Sequence, residues 1–132
     1  MPSPRNSTTR VGKIGESLVI ADLLKKGYDV YSPVDDTGID FVVHNGKKFK
    51  PVQVKHHNWT PLDTSIIVYI KKSRERLAEV IAVPVEKKHC VCYFDLKKLK
   101  CNTSFHIALD PATTNQKKLR RWYYDYMEFP WV

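Results

Sequence analysis

Gly38-Ile39-Asp40-Phe41-Val42-Val43-His44-Asn45-Gly46-Lys47-Lys48-Phe49-Lys50-Pro51-Val52-Gln53-Val54-Lys55-His56-His57 reads as one hairpin. Ile39 to His44 and Phe49 to Lys55 are rich in β-branched and aromatic residues, and Asn45-Gly46 between them is the strongest short turn signal. Side chains alternate faces along a strand. Gln53, Lys55 and His57 therefore share one face, while Val52 and Val54 point the other way, into a core. Asp40 stands at the start of the first strand. The stretch sets an acid, an amide and an ammonium beside one another on a rigid support.

Upstream, Val11 to Lys26 is expected to be a helix, with Ile14, Leu18, Ala21 and Leu24 as its buried stripe and Val11 and Leu23 widening it. Gly27 stops it, after Lys25 and Lys26, whose cations suit the negative end of the helix dipole. Glu16 lies in the first turns, at the edge of that stripe. Met1 to Arg10 reads as a polar arm whose charge suits a phosphate backbone. Tyr28 to Val34 reads as a strand that Pro33 ends or bends, and Asp35 to Gly38 as a turn.

Downstream, strands are expected at Thr64–Ile70, Glu79–Val85, Cys90–Phe94 and Ser104–Leu109. Short helical segments are expected at Lys71–Leu77 and Asp95–Lys100, and a last helix over Gln116–Tyr126. The aromatic tail, Trp122-Tyr123-Tyr124 and then Phe129-Pro130-Trp131, is expected to pack on the domain or on a second subunit. The result is one α/β domain over residues 1–132, built on a mixed sheet.

The chain has 132 residues, 42% of them hydrophobic, and a net charge of +8. That length suits one core, and the charge points to a polyanionic partner, most simply nucleic acid. No apolar run reaches membrane-spanning length, and the N-terminus lacks the apolar stretch of a secretion signal, so a cytoplasmic protein is expected. Three cysteines fit a reducing compartment. Cys90 and Cys92, with Cys101 and His106, are weighed as a zinc site, but the spacing fits no common zinc pattern, and buried free thiols are preferred.

Glu16 on an opening helix, Gly38-Ile39-Asp40 leading into a strand and Gln53-Val54-Lys55 on the next resemble the PD-(D/E)XK nuclease superfamily. The Gly15-Glu16 context looks most like its small homing endonucleases encoded in group I introns, and next like the archaeal-type Holliday junction resolvases. The resemblance covers residues 11 to 57. It implies a restriction-endonuclease-like αβββαβ core with helices flanking the sheet. It also implies a Mg²⁺ site, with Mn²⁺ as a substitute, held by Glu16, Asp40, the Gln53 side-chain oxygen and the Val54 backbone carbonyl.

The chemistry gives each residue a reason. Phosphodiester hydrolysis needs an activated water, a neutralised phosphate and a stabilised leaving oxygen, and a hard cation bound by oxygens serves all three. Lys55 would orient the attacking water and stabilise developing charge. Most family members carry an acid where this chain has Gln53, which removes one negative charge from the pocket. The homing branch is known for a glutamine there, so the resemblance implies that activity survives. Asp36 is weighed as a substitute charge and read instead as part of a turn. His56 and His57 are read as phosphate contacts or solvated side chains rather than general bases.

Two basic clusters read as a DNA cradle: Lys71, Lys72, Arg74 and Arg76, and Lys117, Lys118, Arg120 and Arg121. Lys13 on the first helix is grouped with them. The expectation is a Mg²⁺-dependent endonuclease of double-stranded DNA, site-specific and homo-oligomeric (a dimer or a tetramer). A junction resolvase and a non-catalytic nucleic-acid-binding module are the alternatives.

Overall fold

The computed structural model describes residues 8–35, 38–56, 62–70, 77–99, 103–111 and 121–132. Helix α1 runs over Thr8–Lys25, so it begins one turn inside the expected arm. It ends as Gly27 requires: with φ at 85°, Gly27 N–H donates to the Leu24 carbonyl at 3.0 Å and Tyr28 N–H to the Leu23 carbonyl at 3.1 Å. This double closure of the last turn suits a glycine because the left-handed conformation strains other residues.

The buried face of α1 is not the expected one. Val19 and Leu23 are fully buried, whereas Ile14, Leu18 and Leu24 are exposed, and Ala21 is exposed as well. Gly15, Val19 and Leu23 form the inward line. This helix is apolar around most of its circumference, so spacing alone does not choose a face. Gly15 chooses it by allowing a close approach that a side chain would block.

The strands are β1 (Asp29–Tyr31), β2 (Phe41–His44), β3 (Phe49–Val54), β4 (Ser65–Tyr69), β5 (Val80–Val85), β6 (Cys90–Asp95) and β7 (Ser104–Ala108), with a short helix α2 (Leu96–Leu99) after β6. Five of them form a mixed sheet in the order β1-β2-β3-β5-β6, and β4 and β7 form a separate pair. β3 and β5 are parallel, while the other neighbours are antiparallel. The hairpin is as expected. Asn45 N–H donates to the Lys48 carbonyl, the Asn45 Oδ1 accepts from Lys47 and Lys48 N–H, and Gly46 takes the positive φ of 96°.

The sheet is buried on both faces. On one, Val19 and Leu23 of α1 cover Phe41, Val43, Val52, Val80, Ala82 and Tyr93, joined by Phe129. On the other, Ile66, Val68, Phe105 and Ile107 of the β4–β7 pair cover Ile81, Val83, Val85 and Phe94. Residues of β5 face both cores in alternation, and all six are buried, as its run of apolar side chains requires. Between β3 and β5 the described residues form the expected strand as β4, and the helical segment expected over Lys71–Leu77 lies, but for Leu77, outside the described residues. The fold class is the expected mixed α/β. No helix among the described residues is long and apolar enough to cross a membrane.

The C-terminal segment differs from expectation. The last helix falls partly on residues 116–120, outside the described residues. From Arg121 to Tyr126 the chain is extended at Trp122 (φ −79°, ψ 136°), then makes one 3₁₀ turn. Trp122 bridges to Ala108 in parallel, and the Arg121 and Tyr126 carbonyls accept from Ala108 and Tyr93 N–H at 2.7 Å each. Pairing with these strand donors outweighs local helix preference. Tyr28, Tyr93, Phe129 and Trp131 then pack edge-on and tilted as one group, so the aromatic tail packs on the chain's own core.

A polar tie joins α1 to β6. The Tyr93 hydroxyl donates to Asp22 Oδ2 at 2.5 Å, and burial together with that carboxylate raises the phenol's pKa. Tyr93→Phe is expected to lower stability by about 1.5–3 kcal/mol, the usual worth of a hydrogen bond to a charged group. A urea unfolding series checks it, and an unchanged midpoint would show the tie to be idle.

Candidate active site

Asp40 precedes β2 and is held by the backbone on both sides. Its N–H donates to the Val52 carbonyl at 2.9 Å, although Val52 is already the register partner of Phe41. Two residues thus oppose one, as in a β-bulge, a device that re-aims a side chain at the end of a ladder. The re-aimed carboxylate turns to β3, where Asp40 Oδ2 accepts the Val54 N–H at 2.8 Å. In an extended strand the N–H and C=O of one residue point the same way. The Val54 carbonyl therefore lies on the edge where Asp40 sits.

Gln53 stands between Val52 and Val54. Its Oε1 is buried and accepts no hydrogen bond among the described residues. A buried acceptor without a donor costs about 1–3 kcal/mol, so such an atom in a native site calls for a reason. Lys55 follows, its N–H bonded to the Ala82 carbonyl of β5 at 2.9 Å and its side chain half-buried. The end of β3 is thereby held from both sides, by Asp40 and by β5.

Glu16 reaches this region through its neighbour. A methyl group on Gly15 would come within 2.7 Å of His56 Cβ, so the bare backbone of α1 lies directly on the residue after Lys55. Glu16 is 24% exposed and pairs with Lys13 Nζ at 3.2 Å. Lys13 is itself exposed.

The structure gives His56 a different place from the phosphate contact expected of it. Its side chain is 7% exposed. Nδ1–H donates to the Val11 carbonyl at 2.8 Å, and Nε2 faces Glu86 Oε1 at 2.8 Å. An imidazole with both nitrogens engaged inside the fold cannot also reach a DNA backbone. Arg121 is likewise partly engaged: it donates to the Leu99 carbonyl at 3.2 Å and lies over the Phe105 ring. Asp36, His57, Lys71, Lys72, Arg74, Arg76, Lys117, Lys118 and Arg120 lie outside the described residues.

Among the described residues, no three His, Cys, Asp or Glu side chains cluster to hold a metal. That weighs against zinc at Cys90, Cys92 and His106, with Cys101 outside the described residues. Cys92 donates to the Tyr123 carbonyl at 3.2 Å. Its hydrogen bond with Cys90 and its burial both raise its pKa, which keeps it a thiol, whereas metals bind the thiolate.

The set at the end of β3 is of another kind. It comprises the Asp40 carboxylate, an amide oxygen with no donor among the described residues and the Val54 backbone carbonyl, while Glu16 stands on the helix whose Gly15 packs against His56. Hard oxygens of this mix suit a divalent cation such as Mg²⁺, and the orphaned Gln53 oxygen fits one directly. Gly15 and Glu86 were not singled out as site residues in the sequence. Gly15 had a usable signal, because a glycine inside a helix costs about 1 kcal/mol relative to alanine and so implies a packing reason. Glu86 had none.

The fold and this end-of-strand set define a class. The chain matches the PD-(D/E)XK endonuclease family over residues 6–129 and belongs to it. The family's members generally depend on a divalent metal. Among solved structures, the bacterial homing endonuclease I-Ssp6803I superposes with a TM-score of 0.72 at 22% identity, covering 92% of this chain and 87% of that one. The Holliday junction resolvase Hjc of Archaeoglobus fulgidus gives 0.56 at 17% identity, covering 74% and 83%. At these identities the likeness is one of fold. No curated protein sequence matches the chain.

Proposed function

We propose that this protein is a Mg²⁺-dependent endonuclease that hydrolyses phosphodiester bonds of double-stranded DNA at a specific site, and that it works as a homo-oligomer. The observation that carries the reading is Gln53 Oε1, buried and without a hydrogen-bond partner among the described residues, on the strand whose next residue, Val54, holds the Asp40 carboxylate. Asp40, Gln53 and the Val54 carbonyl would hold the cation, with Glu16 completing the set directly or through water. When bound, the cation supplies charge neutralisation at the phosphate and an acidified water.

The chain's own residues do the rest. The Val54 N–H fixes the Asp40 carboxylate, so its second oxygen keeps a constant direction. The β3–β5 pairing fixes the backbone under Lys55. The Lys55 ammonium orients the attacking water and faces the charge that develops on the phosphate. The net charge of +8 favours association with DNA. One small site cuts one strand, so a double-strand cut calls for a second copy.

A site-specific duplex cutter is favoured over a junction resolvase by Gln53 and by the fuller superposition on the homing enzyme. The test is incubation with Mg²⁺, duplex DNA carrying candidate sites and a four-way junction. Cleavage of one long duplex site, with the junction left whole, supports the reading. Symmetric nicking of the junction would replace it with the resolvase. Absence of cutting, together with calorimetry that finds DNA binding but no Mg²⁺ or Mn²⁺ site, would leave a non-catalytic binding module.

A further inference from the structure

We propose that His56 and Glu86 form an internal clamp that positions Lys55 and the Glu16 helix relative to one another, a role that rests on the nuclease reading above. Three elements meet at the His56 ring. His56 follows Lys55 at the end of β3. The Val11 carbonyl that accepts from its Nδ1–H belongs to the first turns of α1. Glu86, opposite Nε2, opens the 3₁₀ turn of residues Glu86–Lys88 that follows β5. The helix, the end of β3 and the C-terminal end of β5 are thus pinned at one buried ring.

The clamp explains Gly15. The ring lies so close to α1 that a Cβ at position 15 would sit 2.7 Å from His56 Cβ and 2.9 Å from its Cγ. These are backbone-proximal atoms, not the free end of a flexible side chain, so they cannot yield without moving β3. The helix carries Glu16 immediately after that contact. Lys55 and Glu16, which come from opposite sides of the sequence gap, are each one residue away from the same ring–glycine contact. A shift of the ring therefore moves both functional groups at once, and about 1 Å of misplacement near reacting groups costs on the order of 10²-fold in rate.

His56 is thus a positioning residue. It acts through Lys55 and Glu16 and touches no reacting atom. The bridge needs a polar atom opposite Nε2, and an amide meets that need, because it can donate to the ring nitrogen or accept from it.

The experiment compares His56→Ala, Glu86→Ala and Glu86→Gln in the full chain, with Phe105→Leu in the opposite core as the control for lost stability. Three quantities are read: single-turnover cleavage with Mg²⁺ at saturating DNA, Mn²⁺ affinity by calorimetry, and amide exchange of the first turns of α1. Both alanine variants are expected to cut about 10- to 100-fold more slowly at saturating DNA. They should also bind Mn²⁺ more weakly and lose amide protection over residues 12–16. Glu86→Gln is expected to stay within about threefold of wild type, and the control to change none of the three. Wild-type behaviour of both alanine variants overturns the proposal, and so does a Glu86→Gln as slow as Glu86→Ala. If wild type neither cuts DNA nor binds metal, the nuclease reading fails and the clamp's catalytic role with it. Amide exchange then shows separately whether the His56 tie to α1 holds.

Discussion

Asp40→Asn is expected to fold and bind DNA as wild type does, yet cut about 10³-fold more slowly. The asparagine oxygen accepts the Val54 N–H that Asp40 Oδ2 accepts at 2.8 Å, so the backbone of β3 stays tied. What disappears is the charge. In a set that already carries an amide at Gln53, losing this carboxylate leaves Glu16 as the one acid among the four proposed ligands. Loss of several kcal/mol of transition-state stabilisation corresponds to about three decades in rate. Asp40→Ala differs in kind, because it also strands the Val54 N–H at a cost of about 1–3 kcal/mol in stability. Single-turnover cleavage and thermal melting, measured on both variants, separate charge from tie. Wild-type cutting by Asp40→Asn would remove Asp40 from the chemistry.

Gln53→Leu is expected to move stability and activity in opposite directions. Without metal, the buried Oε1 has no donor among the described residues. Replacing the amide by an apolar side chain of similar size relieves about 1–3 kcal/mol, which raises the melting temperature by roughly 3–10 °C in a chain of this size. Metal then has one ligand fewer, so Mg²⁺ should no longer raise the melting temperature as it does for wild type. Cleavage should fall by about 10²-fold or more. A functional group kept at a cost to the apo fold is the usual trade at an active site. If Gln53→Leu melts lower than wild type in chelator, Gln53 is a structural residue and the metal reading loses its main support.

The hairpin was legible because its signals are local. Asn45-Gly46 sets the turn, and period-two alternation separates Val52 and Val54 from Gln53 and Lys55. Gly27 likewise marks the end of α1 through a conformation only glycine takes easily. The inward face of α1 was misread because Ile14, Leu18 and Leu24 are as apolar as Val19 and Leu23. The deciding fact was the close approach of His56 to Gly15, a tertiary contact no periodicity contains. The same gap hid the role of His56, since its partners Val11 and Glu86 are remote in sequence. The C-terminal segment was read by helix propensity, but strand donors at Tyr93 and Ala108 take its carbonyls. Residue types carry the proposed chemistry of the site, and long-range contacts set how its side chains are held.

The parallel pairing of β3 with β5 carries a consequence for the order in which the protein is made. β2 and β3 close across a tight turn, so that hairpin can form as soon as it leaves the ribosome. The other edge of β3 has to wait. Gln53 registers with Ile81, and the Lys55 N–H bonds Ala82, on a strand synthesised only after the whole crossover. Closing such a non-local pair is slow relative to hairpin formation. A nascent chain ending before Val80 already contains Glu16, Asp40, Gln53 and Lys55, yet lacks the β5 edge that holds the end of β3. Cutting ability therefore arrives with the second half of the polypeptide, although every proposed catalytic residue lies in the first.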